Sequence, residues 1–138
     1  MFFRYAYPCT EIRKRQGLIK AEHVKELHNF VFGGEDPSQS LLRTCFPDAV
    51  NSYLLYIGLA DLDGKPWQIE TVKKHWRQHE GESLWCAVDL GIITMVEGVL
   101  VIVNISGMDK LVHNEYRLPV ENGTRVYLHL NRIIEIAD

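Results

Sequence analysis

The chain has 138 residues, of which 46% are apolar, and this is enough for one compact domain or two small ones with a real core. Its 15 Lys and Arg against 18 Asp and Glu give a net charge of −3, which excludes the simplest nucleic-acid and anionic-membrane binding classes, since these need clustered positive charge. No apolar run approaches the roughly 18 residues of a membrane span, and the chain start lacks the pattern of a signal peptide. Three cysteines at unrelated spacings do not indicate a disulfide framework (Cys9, Cys45 and Cys86). We therefore expect a soluble, cytoplasmic protein.

The hydrophobic pattern changes near Gly81. Before this glycine the apolar residues recur mostly at helical spacing, and after it they alternate as in strands. Residues 1–83 hold 11 basic and 11 acidic side chains, whereas residues 84–138 hold 4 basic and 7 acidic, so the second part carries the whole net charge of −3. The sequence predicts an α+β protein with a helical domain over residues 1–82 and a β-domain over residues 83–138.

Helical periodicity predicts three main helices, over residues 20–32, 47–57 and 66–80, and a further short helix over residues 38–46. Residues 60–65 are predicted to form a turn, and their D-x-D-G resembles the start of a calcium loop but lacks the remaining ligands. The large apolar residues of this part are predicted to be ordinary core (Phe30, Phe32, Phe46, Tyr53, Trp67 and Trp76).

Two histidines on the third helix, His75 and His79, are four residues apart and could hold one metal ion. A metal site needs a third ligand, and the H-E-x-x-H form is absent. His79 continues the predicted apolar stripe of Ile69, Val72 and Trp76, whereas His75 lies off it. This pattern favours one packed and one solvated histidine, and the alternative is a small metalloenzyme that uses both histidines and a cysteine.

A short basic run, residues 13–15, is predicted to lie on the solvated face of a helix. Contact with a nucleic acid or an acidic partner is the alternative. Three charges on a solvated face need no further function, so the sequence favours the first interpretation.

The second part of the chain predicts six short strands, over residues 84–88, 92–96, 99–105, 110–116, 125–130 and 133–136. Tight turns are predicted at Glu97-Gly98 and Asn122-Gly123. So few short strands do not suffice for a two-sided sandwich. We expect a small barrel, because closure removes exposed sheet edges.

Two residues of the β-region are candidate metal ligands, Cys86 on the first strand and His129 on the penultimate one. Because strand side chains alternate, His129 points away from the face of Val126, Leu128 and Leu130. A first-strand cysteine and a late-strand histidine can meet on a small barrel, where thiolate and imidazole would suit iron, zinc or copper. A buried free cysteine is the alternative.

Three segments of the β-region share motifs with a known family. Residues 86–93 read CAVDLGII, residues 95–103 form the hairpin MVEGVLVIV, and residues 123–138 read GTRVYLHLNRIIEIAD. Together these segments resemble the start, hairpin and end of hydrogenase maturation chaperones of the HypC/HupF type. The last segment needs no gap and keeps His129 in register with the family's histidine.

The resemblance implies an OB-like β-barrel accessory protein that is not an enzyme. Its family helps to assemble [NiFe]-hydrogenase by carrying or handing over the iron centre with its cyanide and carbonyl ligands. The implied partners are the precursor of the hydrogenase large subunit and the scaffold protein HypD. The family's essential cysteine corresponds to Cys86 and its histidine to His129, so both are candidate iron ligands.

The chain departs from the family at three positions. The family's cysteine follows the initiator methionine, whereas 85 residues precede Cys86; Leu90 replaces a proline and Asn131 a loop glycine. Asparagine is the non-glycine residue best able to take a left-handed conformation. The departures support a second hypothesis, an interaction module that keeps the barrel but has lost iron transfer. Oligonucleotide binding by the barrel is a further alternative, which the acidic balance disfavours.

Overall fold

The computed structural model describes residues 2–32, 35–59, 69–78 and 88–137. The chain divides into two compact units, Met1–His79 and Glu80–Asp138, and the architecture is α+β. We call them the helical unit and the barrel unit. The predicted boundary between residues 82 and 83 lies outside the described residues. Within the described ranges, every helix is too short or too polar to cross a bilayer.

The helical unit contains six described α-helices, α1 to α6, with a 3-10 turn at Tyr7–Cys9 between the first two. In chain order these helices are Phe2–Ala6, Thr10–Arg15, Ala21–His28, Gln39–Cys45, Pro47–Leu59 and Ile69–Gln78. The first of them was not predicted, because five residues are too few to show a helical period.

The predicted helices are present with shifted ends. Helix α3 ends at His28, four residues before the predicted end at Phe32, and α5 extends two residues beyond Ile57. Helix α4 begins after Ser38, whose hydroxyl oxygen accepts a hydrogen bond from the Leu41 amide at 3.2 Å. This contact caps the helix N-terminus, where the first amides lack partners within the helix.

Aromatic side chains build the core of the helical unit. Tyr5 stacks on Trp76 at a centroid distance of 5.5 Å. Phe2 meets Trp76 edge-on and Tyr53 at a tilt, at 5.6 Å in each case. Helix α1 thereby packs against both α5 and α6. Of the predicted core residues, Phe46, Tyr53 and Trp76 are buried, but Phe32 is 62% exposed, so that prediction was wrong.

The barrel unit is a closed five-strand barrel in the order β1-β2-β3-β5-β4. Its strands are Val88–Glu97, Leu100–Ile105, Met108–His113, Arg125–His129 and Arg132–Ile136. All pairings are antiparallel except the short parallel contact between β3 and β5. The core is aliphatic (Ile93, Val101, Val103, Val112, Val126, Leu128 and Ile133).

Strand β1 closes the barrel by pairing with two neighbours. Its first half, Val88 to Ile92, pairs with β4, and its second half pairs with β2 up to Glu97. The predicted break between residues 88 and 92 was therefore wrong: the strand continues through Gly91. A Cβ atom there would overlap the Val103 side chain and come within 3.0 Å of the Asn104 carbonyl oxygen. Glycine thus permits the close approach of β2 at this point.

Candidate functional site

His129 is the last residue of β4 and is fully buried, with an exposed fraction of 0%. Its backbone pairs with Val88, the first residue of β1, and with Arg132 of β5. Leu128 and His129 are adjacent and both are 0% exposed, so burial does not alternate at the end of β4, and the pairing with β5 shifts register between Tyr127 and Leu128. The predicted direction of the His129 side chain, away from the face of Val126 and Leu128, stays a prediction.

Cys86, the other predicted ligand, lies outside the described residues, and its meeting with His129 stays a prediction. His79, the second histidine of the predicted pair with His75, and the D-x-D-G turn at residues 60–65 also lie outside the described residues. Among the residues that the structure does describe, no group of three or more His, Cys, Asp or Glu side chains could hold a metal ion.

The chain turns sharply after His129. Leu130 has a φ of 55°, in the left-handed region, and Asn131 does not share it. The family motif predicts the left-handed residue at Asn131, whereas the structure places it one residue earlier, at Leu130. Because His129 pairs with Arg132, the turn between β4 and β5 consists of Leu130 and Asn131. Glycine is the residue that most readily takes a positive φ at the first position of such a turn. Leucine pays about 1–2 kcal/mol to adopt this conformation.

Two hydrogen bonds from β3 hold this turn in place. The Lys110 ammonium donates to the Leu130 carbonyl oxygen at 2.8 Å, and the His113 amide donates to the Asn131 carbonyl oxygen at 2.8 Å. Strained backbone persists where the surrounding structure over-determines it. Sequence reasoning missed Lys110, because its role depends on the parallel approach of β3 to β5, for which a lysine on a strand gives no local signal.

An ion pair fixes the residue that faces His129 across the hairpin. The Arg132 guanidinium donates from Nε to Oε2 of Glu115, and both side chains are only about a quarter exposed (28% and 22%). A bond between charged partners at this depth is stronger than one at the open surface. The backbone around His129 is thus secured on the β3 and β5 sides.

His75 lies elsewhere, in the core of the helical unit. It is only 5% exposed, and its ring lies 5.2 Å from each of Tyr53 and Tyr56. The prediction that His75 is the solvated histidine was wrong. Ile69, predicted to be packed, is 56% exposed. The buried face of α6 therefore begins later along the helix than the apolar pattern indicates.

The basic run of α2 is partly structural. Arg13 donates from Nε to the Cys45 carbonyl oxygen at 2.9 Å, and its Nη1 lies 3.6 Å from Asp48 Oδ2. It therefore binds the end of α4 and the start of α5, whereas Lys14 and Arg15 are exposed as predicted. Burial raises the pKa of the Cys45 thiol, Glu26 raises it further, and Arg13 opposes both.

Scans of the chain against protein-family models and against curated proteins found no match. The functional inference is therefore based on the residues themselves. These are the buried His129 at the end of β4, Gly91 within β1 where β2 approaches closely, and the turn after His129 whose carbonyl oxygens accept hydrogen bonds from β3.

Proposed function

We propose that this protein is an accessory protein for [NiFe]-hydrogenase assembly, which binds the large-subunit precursor and carries its iron centre. The observation that supports this most is the fully buried His129 at the end of β4, in a closed barrel of five strands. A solvated histidine would need no functional explanation. A buried histidine in a motif that resembles that of iron carriers is explained in this proposal by its role as an iron ligand.

The glycine of the shared start motif also has a structural reason. Gly91 allows β1 to approach β2 more closely than any side chain would permit. The glycine and the histidine of the motif both occupy constrained positions in the barrel. A motif of this kind is stronger support for a family resemblance than the same residues in an exposed loop would be. The resemblance in the β-region therefore agrees with a shared barrel framework.

The cargo chemistry requires a thiolate and an imidazole. In this proposal Cys86 and His129 bind an iron fragment with cyanide and carbonyl ligands, for which soft sulfur and nitrogen donors are suited. In the sequence Cys86 stands two residues before Val88, and Val88 is the backbone partner of His129 on β4. The iron is cargo, and the chain itself catalyses no reaction.

The implied partners are the large-subunit precursor and a HypD-like scaffold protein, met in the cytoplasm. In this proposal the helical unit supplies a docking surface. Its exposed apolar residues include Phe32 and Leu55, at 62% and 64% exposure.

The test is anaerobic affinity purification from the native host, with co-purifying proteins identified by mass spectrometry and iron measured in the eluate. We expect a hydrogenase large subunit or a HypD-like protein with the wild type, and its loss with Cys86→Ala. Cys9→Ala is the matched control, because it removes a cysteine from the helical unit and should leave both partners and iron unchanged. A wild-type sample without any hydrogenase-related protein would contradict the proposal.

The second candidate is an interaction module that keeps the barrel without iron transfer. The internal position of Cys86 and the leucine at position 90 favour it. In that case Cys86→Ala retains the same partners as the wild type, and neither protein contains iron.

A further inference from the structure

The loop between β3 and β4 ends in an Asn-Gly pair. Asn122 is exposed, and within the described ranges its side chain makes no hydrogen bond. Gly123 has a φ of 87°, in the left-handed region that glycine enters most readily. The Thr124 amide donates to the Glu121 carbonyl oxygen at 3.0 Å and closes a four-residue turn around the pair. The turn therefore explains the glycine, but it gives the asparagine side chain no structural role.

A free Asn-Gly pair modifies itself without an enzyme. Base removes the proton of the glycine amide, and this nitrogen attacks the Cγ atom of the asparagine side chain. A bond forms between the glycine nitrogen and Cγ, the bond from Cγ to the side-chain amide nitrogen breaks, and ammonia leaves. Water then opens the resulting cyclic imide, which gives either aspartate or isoaspartate with no change of oxidation state. Glycine is the most reactive neighbour because it has no Cβ atom in the way of this attack.

In the folded barrel, β1 holds the glycine nitrogen of this pair. The Gly123 amide donates to the Ile93 carbonyl oxygen at 2.8 Å, and the Ile93 amide donates to the Thr124 carbonyl oxygen at 2.9 Å. Ile93 is only 1% exposed and belongs to the barrel core, so its backbone is a fixed partner for the turn. The proton that base must remove from Gly123 is the one that the Ile93 carbonyl oxygen accepts. The reaction is therefore blocked for as long as this hydrogen bond lasts.

We propose that Asn122 is a deamidation site under the control of β1. In the closed barrel the residue stays asparagine, and it converts to isoaspartate or aspartate when β1 separates from the turn. Hydrogen exchange of the Gly123 amide begins with removal of the same proton by base, and it likewise needs the hydrogen bond to open. The two reactions should therefore be slowed by one common factor, the ratio of closed to open turns.

The isoaspartate product changes the backbone of the turn. Its main chain runs through Cβ and Cγ, so one more carbon atom separates the Cα of residue 122 from the nitrogen of Gly123. The Gly123 amide then no longer reaches the Ile93 carbonyl oxygen in the geometry of an ordinary four-residue turn. Since hydrolysis of the imide does not return the lost ammonia, the conversion is one-way. A chain whose barrel has opened is therefore marked by a contact that does not close again as it was.

The experiment incubates the purified full-length chain at mildly alkaline pH over a urea series. Peptide mapping by mass spectrometry measures conversion of Asn122, hydrogen exchange measures protection of the Gly123 amide, and a synthetic peptide of residues 118–126 gives the rate of the open chain. We expect the peptide to convert at least about tenfold faster than the folded protein, and the two slowing factors to agree within about threefold at each urea concentration. Gly91→Ala in β1 should speed both reactions in the protein. Gly58→Ala in the helical unit is the matched control and should change neither.

Asn122→Asp separates the effect of charge from that of the backbone. This variant keeps an ordinary turn, so the protection of its Gly123 amide should equal that of the wild type. The isoaspartate fraction, isolated by ion-exchange chromatography, should lose about tenfold or more of this protection. Full protection in the isoaspartate fraction would overturn the predicted change of the turn.

Two outcomes overturn the proposal itself. One is folded protein that converts as fast as the peptide. The other is a Gly91→Ala variant whose Gly123 amide exchanges faster than in the wild type while conversion of Asn122 is unchanged. Should Gly91→Ala fail to fold, the wild type in sub-denaturing urea supplies the same comparison. None of these measurements involves iron or a hydrogenase, so their outcome is independent of the assembly function.

Discussion

The helical unit and the barrel unit are stabilised by different kinds of contact. In the helical unit, aromatic rings from the first helix pack on rings that lie about 50 to 70 residues later in the chain, as Phe2 does on Tyr53 and Trp76. In the barrel unit the core is aliphatic, and the constrained positions are backbone ones, Gly91 and Leu130. The first unit should therefore be sensitive to the removal of side chains, and the second to changes of backbone conformation.

The largest expected effect is on the aromatic core. Trp76→Ala removes a side chain that is 3% exposed and that contacts both Phe2 and Tyr5. We expect a loss of about 4 kcal/mol in the free energy of unfolding of the helical unit, from lost burial and the cavity left behind. Hydrogen exchange should show lower amide protection in α1, α5 and α6, with protection in the barrel strands unchanged.

Leu55→Ala is the control for this measurement. Its side chain is 64% exposed on α5, so the change should stay within about 0.5 kcal/mol of the wild type. An equal loss of protection in the barrel strands of Trp76→Ala would contradict the comparison, because it would mean that the two units unfold together.

A smaller effect is expected from one methyl group in the barrel. Gly91→Ala places a Cβ against the Val103 side chain and the Asn104 carbonyl oxygen, and the backbone of β2 has to move. We expect the barrel unit to lose about 3 kcal/mol, measured by urea unfolding with hydrogen exchange of β1 and β2.

Gly58→Ala on α5 is the same chemical change with open space around it, since no atom lies within 4 Å of the added Cβ. Alanine is the better helix former by about 0.8–1 kcal/mol, so this variant should be as stable as the wild type or slightly more stable. Similar losses in both variants would show that the close approach at β2 is not the cause.

Local patterns predicted the elements that carry a full period of their own. The α+β class, helices α3 to α6 and the closed barrel follow from spacing, glycine stops and the need to remove sheet edges. Helix α1 was missed because its stability comes from tertiary contacts of Phe2 and Tyr5, which the local sequence does not show. The break predicted between residues 88 and 92 was wrong because the pairing that extends β1 through Gly91 involves β2 and β4, which are distant in the sequence.

The candidate site shows the same limit. Alternation along β4 predicts the direction of His129 from adjacent residues alone, and this stays a prediction. The turn after it depends on the pairing of β4 with β5, which decides which residue takes the left-handed conformation. The burial of His75 likewise depends on where Tyr53 and Tyr56 of α5 lie.

The smallest expected effect separates the family motif from the observed turn. The motif puts glycine at position 131, whereas the structure has its positive φ at Leu130. Leu130→Gly should therefore stabilise the barrel unit by about 1 kcal/mol, because glycine removes the cost of the left-handed conformation while losing some chain entropy. Asn131→Gly should destabilise it slightly, since glycine brings only its entropic cost to a residue with an ordinary φ. Urea unfolding of both variants is the measurement. Stabilisation by Asn131→Gly together with destabilisation by Leu130→Gly would place the turn one residue later, in the register of the motif. In that register the hydrogen bonds from the Lys110 ammonium to the Leu130 carbonyl oxygen and from the His113 amide to the Asn131 carbonyl oxygen would have to be reassigned.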